Sequence, residues 1–97
     1  MDNHFVGFVC EQIVVEHFLR LEYWVYTPVG RQGPIDIIAV SPDGEVLLID
    51  AKAQIYRKDS LRTKVSRGLT PIQKMLGVRI AYVNADTREV TFKEATR

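Results

Sequence analysis

The stretch from Pro34 to Lys52, PIDIIAVSPDGEVLLIDAK, decides the fold of this chain. It predicts two apolar strands that are joined by a Pro-Asp-Gly turn. If the hairpin is centred on Asp43, the numbers of paired residues sum to 86, so Asp36 faces Asp50. Side chains that are directly opposed on antiparallel strands have Cβ atoms about 4.5–5.5 Å apart. The hairpin therefore predicts that two carboxylates lie next to each other.

Two carboxylates at this separation repel each other unless a proton or a cation lies between them. Lys52 lies on the same face as Asp50, about 6.6 Å further along the strand. Hard oxygen ligands without a His or Cys cluster favour Mg²⁺ or Mn²⁺ over zinc. We interpret Asp36, Asp50 and Lys52 as the metal centre of a phosphodiesterase. The alternative is a structural, partly buried salt-bridge cluster in which two carboxylates face one lysine.

The faces of the hairpin are both largely apolar, which predicts interior strands of a sheet that is covered on both sides. Outside the hairpin, the pattern predicts a helix over 4–22, a strand over 23–29, and strands over 78–84 and 89–93. Thr70-Pro71-Ile72-Gln73 is a capping-box sequence that predicts the start of a second helix, which Gly77 would end. The resulting order, α-β-β-β-α-β-β, predicts an α/β fold with a mixed sheet flanked by helices. We expect residues 1–97 to form one domain.

Glu11 stands apart from the polar residues of the first helix. Gln12, Glu16 and Arg20 form a polar stripe at about 100° per residue, whereas Glu11 shares a face with apolar residues. An inward carboxylate costs free energy unless another group pairs with it. Glu11 is therefore either a member of a buried polar site or a side chain that reaches the solvent at the edge of the stripe.

Charge is distributed unevenly along the chain, although the formal net charge is only +1. Residues 1–52 hold 3 Lys or Arg and 8 Asp or Glu, a net of −5, whereas residues 53–79 hold 7 and 1, a net of +6. A basic segment after the carboxylates is expected if a polyanion approaches them. The candidate nucleic-acid contacts are Arg31, Arg57, Lys58, Arg62, Lys64, Arg67 and Lys74, with Tyr56 as an aromatic for base stacking. The alternative for these residues is a solvated basic loop without a partner.

Cys10 is the only cysteine, which excludes an intrachain disulfide framework and any zinc site with paired cysteines. Its place in an apolar helix predicts a small buried hydrophobic residue. No segment has the length of a membrane span or the pattern of a signal peptide. We therefore expect a cytoplasmic protein that has no membrane partner.

The order of the motifs resembles the PD-(D/E)xK nuclease superfamily. The resemblance comprises Gly7-x-x-x-Glu11 on a helix, Pro34-Ile-Asp36, Asp50-Ala-Lys52, and then a helix and a strand, over roughly residues 4–84. Within the superfamily the chain is most similar to small resolvases of the archaeal Holliday-junction type and their phage relatives. The fold implied is a restriction-endonuclease-like αβββαβ core. There are two departures, since Ile35 separates the proline from the aspartate and Asp50 replaces the usual glutamate.

The resemblance also implies functional roles. Asp36 and Asp50 would bind Mg²⁺ or Mn²⁺, with the carbonyl of Ala51 as a third ligand and Glu11 completing the site. Lys52 would position or activate the attacking water, and Gln54 and Gln73 are expected to support the site. The implied activity is Mg²⁺-dependent cleavage of DNA, chiefly branched DNA, by a homodimer without an organic cofactor. The alternatives are a nuclease for flap, nicked or plain duplex DNA, and a non-catalytic nucleic-acid-binding module.

Overall fold

The computed structural model describes residues 3–30, 32–54 and 68–93. In this part of the chain, five strands form one mixed sheet in the order β1-β2-β3-β4-β5. β3 and β4 are parallel, and the other neighbouring strands are antiparallel. The predicted α/β class with a mixed sheet is confirmed. The elements are α1 (Asn3–Arg20), β1 (Trp24–Tyr26), β2 (Ile37–Val40), β3 (Val46–Ala53), α2 (Pro71–Leu76), β4 (Arg79–Val83) and β5 (Val90–Phe92).

The hairpin of β2 and β3 has the predicted register, in which Ile37 pairs with Ile49 and Val40 with Val46. Its turn is closed by local hydrogen bonds: the Ser41 N–H donates to the Glu45 carbonyl over 2.8 Å, and the Gly44 N–H donates to the Ser41 carbonyl over 2.9 Å. Gly44 has φ +90°, a left-handed conformation that glycine adopts at low cost. The Pro-Asp-Gly sequence thus determines the turn, and the turn determines the register.

The helix α1 packs on one face of the sheet, mainly against β3. The residues that build this core are Cys10, Ile13, Val14, Phe18, Ile37, Ala39, Ile49, Ala81 and Val83. Cys10 is fully buried, as predicted, and burial raises the pKa of its thiol. Gln12, Glu16 and Arg20 form the predicted exposed stripe. None of the helices in the described residues combines the length and the apolar character needed to cross a bilayer.

The opposite face of the sheet is not covered at the turn end of the hairpin, so the prediction of cover on both faces is wrong there. β2 and β3 are interior strands, but Val46 keeps 56% of its surface exposed. Trp24 and Tyr26, on the neighbouring strand, are exposed by 62% and 57%. The apolar pattern of a strand shows that a face can be buried, but not that another element covers it.

The end of α1 differs from the prediction by two residues, because the chain leaves the helix through a left-handed residue. Glu22 has φ +64°, and the Tyr23 N–H donates to the Phe18 carbonyl over 3.0 Å while the Glu22 N–H donates to the Leu19 carbonyl over 3.0 Å. This pair of bonds is a Schellman motif. The rings of Phe18 and Tyr23, 5.1 Å apart, supply its hydrophobic contact. Glutamate at this position gave no signal of a helix end, since glycine is the usual residue.

The remaining boundaries show small differences. The first strand spans Trp24–Tyr26 rather than 23–29, because pairing with β2 ends where Tyr26 meets Ile38 and Pro28 lacks an N–H to extend the ladder. β4 and β5 are each one residue shorter at both ends than predicted. The start of α2 is as predicted: Thr70 and Gln73 form a reciprocal capping box, Pro71 is in the first turn and Gly77 ends the helix with φ +77°.

Candidate active site

Asp36 lies immediately before β2, where the regular ladder of the hairpin breaks. Its N–H donates to the carbonyl of Ile49 over 2.9 Å, although Ile49 already pairs with Ile37. Asp36 and Ile37 thus both lie opposite Ile49, which is the arrangement of a β-bulge. The carboxylate Oδ2 of Asp36 accepts the N–H of Ala51 at 2.9 Å. The aspartate side chain therefore takes the place of a ladder carbonyl and is held between the two strands.

The carboxyl groups of Asp36 and Asp50 meet at this break, although Asp36 lies opposite Ile49 and not opposite Asp50 as the register predicted. The pKa of Asp36 is raised to about 7, first by burial and then by a hydrogen bond with the carboxyl of Asp50. The Ala51 N–H acts in the opposite direction, and the charges of Asp50 and Glu11 raise the pKa further. A hydrogen bond between two carboxyls requires a proton on one of them. Near neutral pH the pair therefore holds a proton for part of the time.

Lys52 supplies the positive charge of the cluster. Its Nζ lies 3.0 Å from Oδ2 of Asp50, and both side chains are largely shielded from solvent. Asp50 itself is 7% exposed. Although the ammonium is near, Oδ2 of Asp50 is buried and accepts no hydrogen bond of good geometry from the described part of the chain. The ammonium of Lys52 compensates the charge of this buried oxygen, and a divalent cation bound between the carboxylates would add to that compensation.

Charge balance explains why the cluster tolerates burial. Two ionised carboxylates and one ammonium have a net charge of −1, whereas a single shared proton on the carboxyl pair brings the net charge to zero. A divalent cation between the carboxylates would replace that proton. Oxygen donors from aspartate are the ligands that Mg²⁺ and Mn²⁺ prefer. The donor set and the buried oxygen of Asp50 thus fit a divalent cation.

Glu11 is half-buried on α1 and close enough to Asp36 to raise the pKa of that carboxyl. Its half-burial is compatible with both alternatives, a member of a polar site and a side chain at the edge of the polar stripe. Within residues 3–30, 32–54 and 68–93, no three His, Cys, Asp or Glu side chains gather in a metal-binding geometry. The roles of Glu11 and of the Ala51 carbonyl as metal ligands therefore stay predictions, as do those of Asp36 and Asp50.

Gln73 connects α2 to the segment that leads into the site. Its Oε1 accepts the N–H of Thr70 at 3.0 Å, while its Nε2 donates to the carbonyl of Pro34 over 2.9 Å. The side chain is 8% exposed. Because both ends of the amide are used, Gln73 fixes the position of Pro34, two residues before Asp36. This bond holds the segment that leads into the site from outside the hairpin, and the supporting role of Gln73 in the site stays a prediction.

The other predicted contacts divide into two groups. Lys74 is exposed on α2. Gln54 is half-buried and donates its backbone N–H to the Val83 carbonyl over 2.8 Å, which extends the pairing of β3 with β4. The remaining predicted contacts lie outside the described residues: Arg31, Tyr56, Arg57, Lys58, Arg62, Lys64 and Arg67.

Two features of the site were not predicted from the sequence. The hydrogen bond from Ala51 to Asp36 depends on a bulge, and no residue in Pro34-Ile35-Asp36 marks a bulge. The bond from Gln73 to Pro34 spans 39 residues. The only available signal was that a capping glutamine uses its oxygen and leaves its amide donors free for another partner.

No protein-family model matches the chain, and no curated protein matches it in sequence. Among solved structures, the chain is similar to a bacterial homing endonuclease, with a TM-score of 0.75 and 11% sequence identity. The match covers 96% of this chain and 69% of the endonuclease chain. The two proteins therefore share a fold. The shared fold has a mixed five-stranded sheet with helices, and the identity is too low to transfer individual residues.

Proposed function

We propose that this chain is a divalent-metal-dependent endonuclease that hydrolyses phosphodiester bonds in DNA. The observation that carries the proposal is the Asp36–Asp50 carboxyl pair with the ammonium of Lys52 at 3.0 Å, at the break in the hairpin. The fold shared with a homing endonuclease supports the same class of activity. A structural salt bridge accounts for the contact of Lys52 with Asp50, but it leaves the second carboxyl, that of Asp36, without a cation of its own.

Each residue of the cluster has a distinct task in this proposal. The carboxylate oxygens of Asp36 and Asp50 would hold Mg²⁺ or Mn²⁺, together with the predicted ligands Ala51 and Glu11. When bound, such a cation polarises a phosphoryl oxygen and lowers the pKa of a bound water. Lys52 places positive charge where negative charge gathers on the phosphate in the transition state. The Ala51 N–H keeps Asp36 oriented between the strands.

The substrate that we propose is branched DNA of the Holliday-junction type, which is an intermediate of recombination and repair, cut by a homodimer. This finer assignment depends on the resemblance of the motifs to junction resolvases. Two identical sites related by a twofold axis would cut two strands symmetrically. The alternatives within the class are cleavage of flap, nicked or linear duplex DNA.

A cleavage assay with four DNA substrates tests the proposal. Purified protein is incubated with a four-way junction, a flap, a nicked duplex and a linear duplex, in Mg²⁺, in Mn²⁺ and in EDTA. We expect cutting only with a divalent ion and fastest cutting of the junction. Asp50→Asn should lose about 10³-fold or more of the rate, because the cation loses a charged ligand.

Asp43→Asn is the matched control, since Asp43 is an exposed aspartate at the turn of the same hairpin. It should cut like the wild type. If Asp50→Asn cuts as fast as Asp43→Asn, any observed nuclease does not use this site. If no substrate is cut with either ion, and calorimetry detects no uptake of Mg²⁺ or Mn²⁺, the cluster is a structural one.

A further inference from the structure

The helix α1 uses one face for the core and leaves the opposite face outward. The outward face carries a row of residues that are separated alternately by three and four positions, which we call the α1 seam: Phe5, Phe8, Gln12, Val15 and Leu19. Phe5 keeps 58% of its surface exposed, Phe8 45% and Leu19 55%. Because this spacing repeats every seven residues, the row runs nearly straight along the helix.

A row with this spacing is complementary to another helix, since side chains three and four positions apart on one helix insert between those of its partner. From Phe5 to Leu19 the α1 seam is about 21 Å long. The other helix of the described residues, α2, has six residues, about 9 Å, and is too short to cover the seam. The α1 seam of a second copy has the same length and the same spacing.

Gln12 lies at the centre of the α1 seam, so the seam is complementary to itself in an antiparallel order. On a twofold axis through Gln12 the numbers of facing residues sum to 24, and Phe5 of one copy faces Leu19 of the other. Phe8 then lies beside Val15, so that a large residue meets a smaller one. The two Gln12 amides meet at the axis, where each offers both a donor and an acceptor. One polar residue in an apolar seam is a feature that specifies register.

The charges beside the α1 seam are compatible with a second copy. Glu16 borders the seam, and its carboxylate is paired with Arg20 at 3.6 Å and with Arg88 at 3.0 Å. The antiparallel order therefore brings no uncompensated carboxylate of this border against its own copy. It also places Arg20 of one copy near the ring of Phe5 of the other, a favourable position for a guanidinium.

A second exposed apolar surface, around Trp24 and Tyr26 on the open face of the sheet, is less suited to a copy of itself. Glu22, Asp43 and Glu45 lie near it, and the described residues from 21 to 48 include no lysine or arginine. In a twofold contact the same patch occurs on both sides, so acidic groups would face acidic groups. The α1 seam is therefore the better surface for contact between copies.

The exposed area of the α1 seam corresponds to a modest dimer contact. With about 150–250 Å² for a complete aromatic side chain, Phe5 and Phe8 together expose on the order of 200 Å² of apolar surface, to which Leu19 and Val15 add. An interface of ordinary size buries about 800 Å² on each partner, of which slightly more than half is apolar. The seam thus supplies the larger part of the apolar centre of such an interface. We expect a dissociation constant in the micromolar range.

We propose that two copies of this chain pair through their α1 seams, in antiparallel order, about a twofold axis at Gln12. The inference goes beyond the proposed function, in which the surface between the copies is not assigned. The contact itself does not depend on cleavage of DNA, so it is tested without a substrate.

Sedimentation equilibrium over about 1–200 µM protein tests the contact. We expect a reversible dimer in the wild type. Phe8→Glu and Leu19→Glu should each raise the dissociation constant by about 10-fold or more, because a charge is buried without a partner. Met75→Glu is the matched control, since Met75 is an apolar residue of α2 that is 76% exposed, and it should dimerise like the wild type. Circular dichroism checks that the variants keep the helix content of the wild type.

Cysteine cross-linking then tests the orientation. Helix axes about 10 Å apart, with Cα atoms about 2.3 Å from each axis, bring the two Gln12 Cα atoms to about 5 Å, which is within the range of a disulfide. Gln12→Cys should therefore form a covalent dimer on mild oxidation. Phe5→Cys alone should not, because its two copies lie about 21 Å apart, whereas a mixture of Phe5→Cys with Leu19→Cys should cross-link. The native Cys10 is fully buried, so the wild type gives the background.

Three results would overturn the pairing: a wild type that stays monomeric over this range, a dimer that both glutamate variants leave intact, or Phe5→Cys that cross-links to itself as fast as Gln12→Cys. A dimer that Trp24→Glu dissociates and both α1 variants retain lies on the open face of the sheet, and the α1 seam is then wrong.

The outcomes also separate this inference from the nuclease proposal. If the dimer behaves as expected but no DNA is cut with Mg²⁺ or Mn²⁺, the pairing stands and the nuclease proposal is wrong. If a monomeric wild type cuts DNA and Asp50→Asn does not, the nuclease proposal stands and the pairing is wrong.

Discussion

The β2–β3 hairpin has a turn end, at Pro42-Asp43-Gly44, and an open end, where Asp36 and Asp50 lie. The backbone N–H and carbonyl groups find their hydrogen-bond partners differently at the two ends. At the turn, the partners are close in sequence: Glu45 donates its N–H to Oγ of Ser41, four residues away. At the open end, Ala51 donates to the side chain of Asp36, 15 residues away. The turn end is thus a local structure that provides stability. At the open end, a side chain takes the place of a backbone partner, and ionisable groups that could bind a cation or a phosphate lie together there.

The two ends of the hairpin also differ in how far they bury an aspartate, and the raised pKa of Asp36 is a consequence of that burial. Asp43 lies exposed at the turn. Asp36 is brought against Asp50 and partly buried, so its pKa rises to about 7. Burial and a neighbouring carboxylate both penalise the charged form. The charged form of Asp36 is therefore penalised at the open end, and such local conflicts are typical of functional sites.

Substitution of Lys52 should give the largest effect among the tests of this comparison. Lys52→Met keeps the length of the side chain and removes its charge, so we expect a loss of about 10²-fold in the rate of DNA cleavage. The measurement is single-turnover cleavage in Mn²⁺. Lys93→Met, at an exposed lysine, is the control and should cut normally. Equal rates for the two variants would remove Lys52 from the mechanism.

Asp36→Asn tests whether ionisation of Asp36 lowers the stability of the folded protein. The folded pKa of about 7 lies above the ordinary value of 3.8, so the folded state binds more protons between these values. The stability of the wild type should therefore fall as pH rises from about 4 to about 7. The asparagine still accepts from Ala51 but does not titrate, so most of this fall should be absent from its midpoints of thermal unfolding. Parallel profiles for both proteins would contradict the raised pKa.

The same pair of proteins tests the cation. Above pH 7 the carboxyl of Asp36 in the wild type is mainly ionised, and Mn²⁺ should raise the midpoint of unfolding by mass action. The asparagine variant lacks one charged ligand and should respond less. A similar shift in both proteins would mean that the ion binds elsewhere.

Gln73→Glu tests the support of the open end from α2. The new carboxylate can still accept the N–H of Thr70, but it cannot donate to the carbonyl of Pro34. We expect a loss of about 1–3 kcal/mol in the free energy of unfolding, together with slower cleavage. Thr70→Ala is the comparison variant, since it removes the cap at a cost of about 1 kcal/mol and keeps the bond to Pro34. If cleavage falls equally in both, Gln73 acts only through the stability of α2.

Gly44→Ala tests the turn end and should have the smallest effect. Its φ of +90° is unfavourable for a residue with a Cβ, so denaturant unfolding should show a loss of about 1 kcal/mol. Gly30→Ala is the matched control at a loop glycine without a left-handed φ, and it should be neutral. Cleavage should be unchanged in both variants. A loss of activity in Gly44→Ala would show that the two ends of the hairpin are coupled.

The amino-acid sequence alone determined the local parts of this protein. The Pro-Asp-Gly turn and the alternation of strand side chains predicted the register from Ile37 to Val46, and they predicted that Asp36 and Asp50 lie close together with Lys52 beside Asp50. The Thr70–Gln73 capping box was equally predictable. These features follow from rules that act over two to five residues, or over a hairpin whose turn is known.

Only the tertiary structure decided the bulge that directs Asp36 to the N–H of Ala51, the bond from Gln73 to Pro34, and the raised pKa of Asp36. It also decided that Val46 stays exposed, although the sequence predicted cover on both faces of the hairpin, and that Trp24 and Tyr26 on the neighbouring strand are exposed as well. The physical reason is that burial and long-range hydrogen bonds depend on which other elements exclude water from a group. The pattern of apolar residues in a strand indicates which side chains can be buried. The packing of the sheet and the helices determines which of them are buried.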